Sequence, residues 1–225
     1  MVPALVAIGF TRHRATASSL AAILLIALAG AIAFAVAGAV DLPTGVFLGL
    51  GGLLGSTVGA HWMNRLSVRS LARIFGVVLL VAGVRMVIGG GVGAGGFEPA
   101  PIVSFAIELS IGALTGILSG LAGVGGGIIM IPAMVLLLGI DQHTAEGTSL
   151  VAMLFTAAAG TRVNVINHHV DWRAMGILGV AGALVAPLSA VLAQQIPADT
   201  LGRIFGAFVV VNAVRTLWKS REQPT

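Results

Sequence analysis

The sequence lacks cysteine entirely and carries little charge, and each shortage excludes a class of protein. Without cysteine, the 225-residue chain can form no disulfide framework, thiolate metal site or cysteine nucleophile. Charged side chains make up 9% of the residues, against about 25% in a typical soluble domain. The composition therefore argues against a soluble globular protein.

The chain is instead rich in apolar residues, which make up 57% of it and give a mean hydropathy of +1.05. Several apolar stretches of about 18 residues or more follow one another, and a helix of that length crosses the roughly 30 Å core of a bilayer. The formal charge of +4 does not indicate nucleic acid binding, because the arginines stand singly at the ends of apolar segments. We predict an all-α, polytopic membrane protein surrounded by the lipid bilayer.

Short polar breaks divide the chain into nine candidate helical segments. The segments are 1–9, 15–38, 45–63, 71–88, 102–121, 128–138, 145–166, 174–192 and 201–218. Trp62, Trp172 and Trp218 fall at segment ends, where an indole ring can lie in the membrane interface.

The chain aligns with itself when it is shifted by 130 residues. Asp41 then meets Asp171, and RIFG at 73–76 meets the same four residues at 203–206. One register holds over 9–85, which chance matches would not maintain. We predict two homologous helical repeats, an arrangement from which many transporter folds are built.

The two repeats differ at their beginnings, because the counterpart of 102–129 would precede Met1. If the two short segments count as crossings, each repeat unit has five segments, and an odd number predicts that the repeats are inverted relative to one another. The predicted organisation is a first repeat at 1–88 that is truncated at its N-terminus, a glycine-rich linker at 89–101, a second repeat at 102–218 and a cytoplasmic tail at 219–225.

The stretch GVGGG at 123–127 interrupts the apolar pattern and precedes Pro132. Each glycine in a helix interior costs about 1 kcal/mol relative to alanine, so we predict a broken or re-entrant helix here. The free amides of the break and the positive N-terminus of the next helix could face an anion. Gly112, Gly116 and Gly120 instead recur at every fourth position, which is typical of close helix packing.

Polar side chains inside apolar spans are costly without partners, which makes them candidates for function. Thr148, Ser149 and Asn164 could contact a substrate. Arg162 could bind a substrate oxyanion or anchor the end of its span.

Two acidic residues and a pair of histidines are further candidates for function. Glu108 could carry a proton or pair with a buried arginine, and Glu146 is a second candidate for a proton or ion-pair role. His168 and His169 stand beside Asp171, where a metal site or a solvated loop would both be compatible with the spacing.

Basic residues indicate the orientation of the chain. With both short segments crossing, ten basic residues share one side: Arg12, Arg14, Arg65, Arg69, Arg73, Arg162, Arg173, Arg215, Lys219 and Arg221. Arg85 and Arg203 lie on the other side. The bias predicts that the first group, and with it the C-terminus, lies in the cytoplasm.

The sequence at 112–172 resembles the sulfite exporter TauE/SafE family. The resemblance rests on the glycine turn at 123–127, Pro132, the GTSL stretch at 147–150 and the VDW junction at 170–172. It extends more weakly over the first half, without the first span and first glycine turn. It implies a multi-pass transporter in the cytoplasmic or inner membrane that exports sulfite or an organosulfonate.

These observations predict a secondary transporter with a small anion as its partner; self-association into a homo-oligomer stays open. A non-transporting or degenerate membrane subunit of the same family is the alternative. No enzymatic activity, cofactor or metal is expected, and the glycine run lacks the Lys-Ser/Thr of a phosphate-binding loop. The predicted substrate-binding residues are Gly123, Gly125, Gly126, Gly127, Pro132, Thr148, Ser149 and Asn164.

Overall fold

A computed structural model describes residues 1–62, 68–89, 101–122 and 126–222, and these residues form helices joined by short turns. The helices are α1 (Val2–Ala7), α2 (Arg12–Val36), α3 (Leu42–Trp62), α4 (Val68–Gly89), α5 (Pro101–Ala122), α6 (Gly127–Leu137), α7 (Gln142–Ile166), α8 (Trp172–Gln194) and α9 (Ala198–Glu222). The protein is an all-α, multi-pass membrane protein, as the composition predicts.

Four helices are long and apolar enough to cross a membrane over stretches that the structure describes throughout. These stretches are His13–Val36, Gln142–Ile166, Trp172–Gln194 and Ala198–Trp218. Helices α3, α4 and α5 have 21, 22 and 22 residues, which also suffices by length.

Several helices begin earlier than hydropathy predicts, because polar residues cap their first turns. The Thr11 side chain accepts a hydrogen bond from the Arg14 amide, so α2 begins at Arg12. Asp141 in the same way caps α7, which begins at Gln142. Helix α9 continues to Glu222, into the stretch predicted as a tail.

Helices α3 and α5 pack backbone against backbone. A Cβ at Gly112 would collide with the carbonyl oxygen of Leu48, and one at Gly116 with that of Gly52. The packing role predicted for Gly112 and Gly116 is confirmed, whereas the surroundings of Gly120 lie outside the described residues. Because both contacts advance in the same direction along the two helices, α3 and α5 run parallel.

Contacts of other glycines give the directions of the remaining core helices. Gly45 packs against Val151 and Gly52 against Thr156, so α3 and α7 also run parallel. Helices α2 and α7 are antiparallel, because Gly30 packs against Leu150 while Leu20 packs against Gly160.

Contacts recur in pairs that are related by the offset of 130 residues. The pairs are Gly30 with Leu150 and Leu20 with Gly160; Gly49 with Phe155 and Leu25 with Gly179; Gly52 with Thr156 and Ile26 with Gly182; and Gly76 with Leu217 and Val87 with Gly206. A two-fold relation between two similar units produces reciprocal contacts of this kind. Superposition of the two halves and the direction of any axis stay predictions.

Candidate functional site

Helix α6 is short, with 11 residues and a length of about 16 Å at 1.5 Å per residue. It begins after Gly126, whose φ of 80° lies in the left-handed region that favours glycine. The Gly126 carbonyl accepts hydrogen bonds from the amides of Ile129 and Met130, which starts the helix. The backbone before α6 therefore favours glycine at this position over residues with a Cβ.

The N-terminus of α6 lies near the middle of the helix bundle. A Cβ at Gly127 would lie 3.1 Å from the sulfur of Met153, and the methyl group of Met130 lies close to Gly52. Met153 and Gly52 stand near the midpoints of α7 (Gln142–Ile166) and α3 (Leu42–Trp62). Helix α6 therefore begins about halfway along α3 and α7.

Helix α6 is apolar and largely buried, so its backbone dipole is the polarity that it contributes to this region. Met130, Met134 and Val135 are almost fully buried, and Pro132 is buried in the second turn. The helix carries no charged side chain. The first amides of a helix have no intrahelical acceptor, and they give its N-terminus a partial positive charge.

Two of the predicted glycines, Gly123 and Gly125, lie outside the described residues. Gly126 and Gly127 are buried, Gly126 as the residue before α6 and Gly127 as its first residue. The role of these glycines in anion binding stays a prediction. The structure adds the location, at mid-depth and at the positive end of a half-length helix.

A second polar group lies at the start of α3. The carboxylate of Asp41 accepts hydrogen bonds from the amide of Thr44 at 3.2 Å and from its hydroxyl at 2.9 Å. The Thr44 hydroxyl is also 3.3 Å from Oε1 of Glu108 on α5. The backbone N–H of Asp41 donates to Oγ1 of Thr148 on α7, at 2.9 Å. We call Asp41, Thr44 and Glu108 the acid pair site.

The local sequence explains the contacts between Asp41 and Thr44. In DLPT at 41–44, Asp41 takes the N-cap position, and Thr44 stands three residues later, where a helix amide needs an acceptor. Proline in the first turn of α3 sacrifices no helical hydrogen bond. Glu108 comes from a distant part of the chain and reaches Thr44 because α3 and α5 touch along their glycines.

Glu108 is the most isolated of these groups. Its side chain is 7% exposed, and its Oε2 atom is buried without a hydrogen-bond partner. Within the described ranges, no basic side chain lies within 4.0 Å of its carboxylate, so no ion pair with an arginine is seen. A buried carboxyl without a cation remains available to bind and release a proton.

The other predicted polar residues on α7 are spread along the helix. Thr148 accepts the Asp41 N–H, and the Ser149 hydroxyl donates to the Glu146 carbonyl at 2.7 Å. The Glu146 carboxylate accepts from Nε2 of Gln142 at 2.8 Å. These side chains lie about two turns or less from Asp141, in the same half of the bundle as the acid pair site.

Asn164 and Arg162 stand near the opposite end of α7. The Asn164 amide donates to the Gly160 carbonyl of its own helix, and the Arg162 side chain is exposed. Asn164 is 11 residues beyond Met153, about 16 Å along the helix axis. The structure does not bring Asn164 and Arg162 to the N-terminus of α6.

The histidines near the α7–α8 turn are exposed. His168 has a φ of 54°, and the ring of His169 lies 6.1 Å from that of His13. Among the residues that the structure describes, no three His, Cys, Asp or Glu side chains are grouped so that they could hold a metal ion.

Asp41 and Thr44 were not among the candidates predicted from the sequence. Two signals point to them, the Asp-x-x-Thr spacing of a helix cap and the alignment of Asp41 with Asp171. Asp171 caps α8 through a 2.9 Å hydrogen bond from the Ala174 amide, and its own N–H donates to Ser18 at 2.9 Å.

The chain is similar to known membrane proteins over most of its length. The model of the family described as sulfite exporter TauE/SafE matches residues 1–86 and 109–225. The match leaves out 87–108, which contains the glycine-rich linker, the first turns of α5 and Glu108.

Curated relatives are named as probable membrane transporter proteins. A probable membrane transporter protein of Xylella fastidiosa (strain 9a5c) is 29% identical over 212 residues, which are 92% of this chain and 81% of that protein. The probable membrane transporter protein YdhB of Bacillus subtilis (strain 168) is 33% identical over 104 residues, 46% of this chain and 42% of its own. No solved structure matches the chain.

Proposed function

Because the chain belongs to the sulfite exporter TauE/SafE family, we propose that it is a secondary transporter that exports a small anion such as sulfite or an organosulfonate. The family is described as an exporter and its relatives as probable membrane transporters, and the helices of this chain are long and apolar enough for several crossings. The substrate and the direction are the parts that we propose.

The observation that carries the anion proposal is the position of the α6 N-terminus. Secondary transporters bind anionic groups at the N-termini of discontinuous helices near the bilayer midplane. Helix α6 begins at a left-handed glycine beside Met153, at mid-depth, and it carries no acidic side chain that would repel an anion. An oxyanion of the size of sulfite could be held there by backbone amides.

The direction of equivalent helices supports an inverted arrangement of the two halves. Helices α2 and α7, which align at the 130-residue offset, run antiparallel. Helices α4 and α9 do so as well, since Gly76 packs against Leu217 and Gly83 against Val210. Antiparallel equivalents are expected when an axis in the membrane plane relates two repeats.

The same directions support the proposed orientation. The start of α2, the end of α7 and the start of α8 lie at one end of the bundle, because α2 runs antiparallel to α7 and parallel to α8. Arg14, Arg162 and Arg173 are therefore at the same end, which we assign to the cytoplasm together with the C-terminus. The acid pair site lies toward the opposite end.

Flux measurements on purified protein in vesicles test this proposal. We expect the protein to accelerate efflux of labelled sulfite or a sulfonate above that of protein-free vesicles, with sulfate and thiosulfate as the comparison substrates. Efflux that saturates with substrate concentration would support a carrier. Equal flux with and without protein for all four anions would contradict transport and favour a non-transporting membrane subunit.

A further inference from the structure

The hydroxyl of Thr44 lies between two carboxylates. Its oxygen is 2.9 Å from Oδ2 of Asp41 and 3.3 Å from Oε1 of Glu108. A threonine hydroxyl has one proton to donate, and an ionised carboxylate has none. The Thr44 hydroxyl can therefore donate a hydrogen bond to only one of the two carboxylates. Its contact with the other carboxylate becomes a hydrogen bond only when that group carries a proton of its own.

The geometry places that additional proton on Glu108. Asp41 already accepts two hydrogen bonds from Thr44, one from the amide and one from the hydroxyl. Glu108 has only the 3.3 Å contact, and its Oε2 atom is buried without a partner. With a proton on Glu108, its carboxyl donates to Oγ1 of Thr44, the Thr44 hydroxyl donates to Asp41, and the two acids no longer repel each other.

We propose that Glu108, Thr44 and Asp41 form a proton-binding site through which inward movement of protons drives outward movement of the anion. The proposal rests on the transporter function proposed above and adds its coupling ion. With the orientation assigned above, the site lies in the outer half of the bundle, where protons would enter.

The acid pair site is connected to the helices around α6. Asp41 and Thr44 belong to α3, Glu108 belongs to α5, and Thr148 on α7 accepts the Asp41 N–H. Helix α5 leads to the glycine turn, and the first residue of α6 packs on α7. Gain or loss of charge on Glu108 therefore acts on the three helices that surround the candidate anion site.

Few other charged groups face Glu108 from the neighbouring helices. Helix α6 has no titratable side chain, and Asp41 is the acid at the start of α3. In the first turns of α7, Asp141 caps the helix, His143 lies 3.9 Å from that cap, and Glu146 accepts from Gln142. None of the cations among the described residues pairs with Glu108, so a proton is the means of neutralising it.

The ligands present suit a proton better than a metal cation. Hard metal cations take about six or more oxygen ligands. Both Asp41 oxygens and Oγ1 of Thr148 already accept hydrogen bonds, which leaves too few oxygens in the described site. A proton requires only one donor and one acceptor.

Proton movement during transport provides the first test. Vesicles containing the protein, sulfite and a pH-sensitive dye are diluted into sulfite-free medium, with sodium replaced by choline. Loss of sulfite alone shifts the bisulfite–sulfite equilibrium inside the vesicles, so the measurement is repeated with an organosulfonate, which has no titratable proton near neutral pH. We expect efflux of either anion to acidify the interior, and an imposed inward proton gradient to accelerate efflux. Sulfite flux that moves no protons, or that requires sodium, would overturn the coupling proposal while leaving the transporter function intact.

The variant Glu108→Gln keeps the shape of the side chain and removes the titratable group. We expect it to lower proton-driven efflux at least about tenfold, while sulfite exchange across vesicles with sulfite on both sides continues. Asp171→Asn is the matched control, because it alters the equivalent cap, where Ala174 replaces Thr44. A Glu108→Gln protein that couples protons as the parent does would overturn the proposal.

Infrared difference spectroscopy tests proton binding without relying on transport. We expect a protonated carboxylic acid band in the parent near neutral pH that is present in Asp171→Asn and absent in Glu108→Gln. If the parent lacks the band, the proton-binding site is wrong, whatever the flux measurements give. If the band is present but no anion is transported, the anion proposal fails and proton binding stands alone.

Discussion

Asp41 and Asp171 occupy equivalent positions at the starts of α3 and α8, and they combine the same structural role with different chemistry. Each carboxylate accepts a hydrogen bond from the amide three residues later, and each backbone N–H donates to a hydroxyl on a helix of the other half, at 2.9 Å in both cases. Beside Asp41 lie Thr44 and Glu108, whereas Ala174 takes the place of Thr44 beside Asp171.

The difference separates what holds the fold from what serves function. Caps and glycine contacts recur in both halves, as expected for features that position helices. The second acid and the half-length helix with a left-handed glycine at its start belong to the second half in the described structure. Substitutions at the two matched caps should therefore have equal effects on stability and unequal effects on transport, and substitutions of chemically similar residues elsewhere should separate packing from function.

The largest difference in the response to sulfite is expected between Gly126→Val and Gly9→Val. Both glycines have positive φ, 80° and 97°, so valine strains either one by about 1–3 kcal/mol. Only Gly126 precedes α6, where a side chain would stand beside the amides proposed to hold the anion. We expect sulfite to raise the Tm of the parent and of Gly9→Val, but not of Gly126→Val, in thermal-shift titrations.

Equal responses to sulfite in both valine variants would contradict this expectation. The glycine turn would then be a packing device, and the anion site would lie elsewhere in the bundle.

A loss of stability is expected for Gly116→Ala but not for Gly176→Ala. A Cβ at Gly116 would collide with the Gly52 carbonyl oxygen, whereas a Cβ at Gly176 meets nothing within 4 Å. Overpacking of this kind costs about 1–3 kcal/mol. Unfolding in mixed detergent measures the two free energies, and similar values would mean that α3 and α5 separate easily.

A smaller difference in sulfite flux is expected between Pro132→Ala, which should lower it, and Pro3→Ala, which changes a proline in the first turn of α1. Pro132 lies in the second turn of α6, and its ring leaves the Ile128 carbonyl without the N–H that another residue would supply. Alanine should restore that bond, change stability by less than about 1 kcal/mol and lower sulfite flux by relaxing the start of α6. Unchanged flux in vesicles would show that Pro132 does not set the position of the anion site.

The smallest difference, in the free energy of unfolding, is expected between Asp41→Ala and Asp171→Ala. Each loses one helix cap, which costs about 1 kcal/mol. Proton-driven efflux should fall for Asp41→Ala and stay near the parent value for Asp171→Ala. Loss of proton-driven efflux in both variants would mean that capping, not the acid pair, is responsible.

Hydropathy and glycine spacing predicted the helices and a new helix start at the end of the glycine run, because both depend on neighbouring residues in the chain. Helix starts were placed too late at α2 and α7, since Thr11 and Asp141 are polar caps that hydropathy assigns to loops. The sequence indicates only part of the acid pair site. The spacing of Asp41 and Thr44 is local, but no spacing rule relates either residue to Glu108.

The contact between α3 and α5 also indicates which parts of the protein should move during the proposed transport cycle. Where the glycine backbones touch, at Gly52, Gly112 and Gly116, no side chain stands between the two helices that could rotate and let one slide past the other. We therefore expect α3 and α5 to move as a single rigid body. We expect rearrangement at interfaces where flexible side chains separate the backbones, such as that of α2 with α7, where Leu150 lies against Gly30 and Leu20 against Gly160.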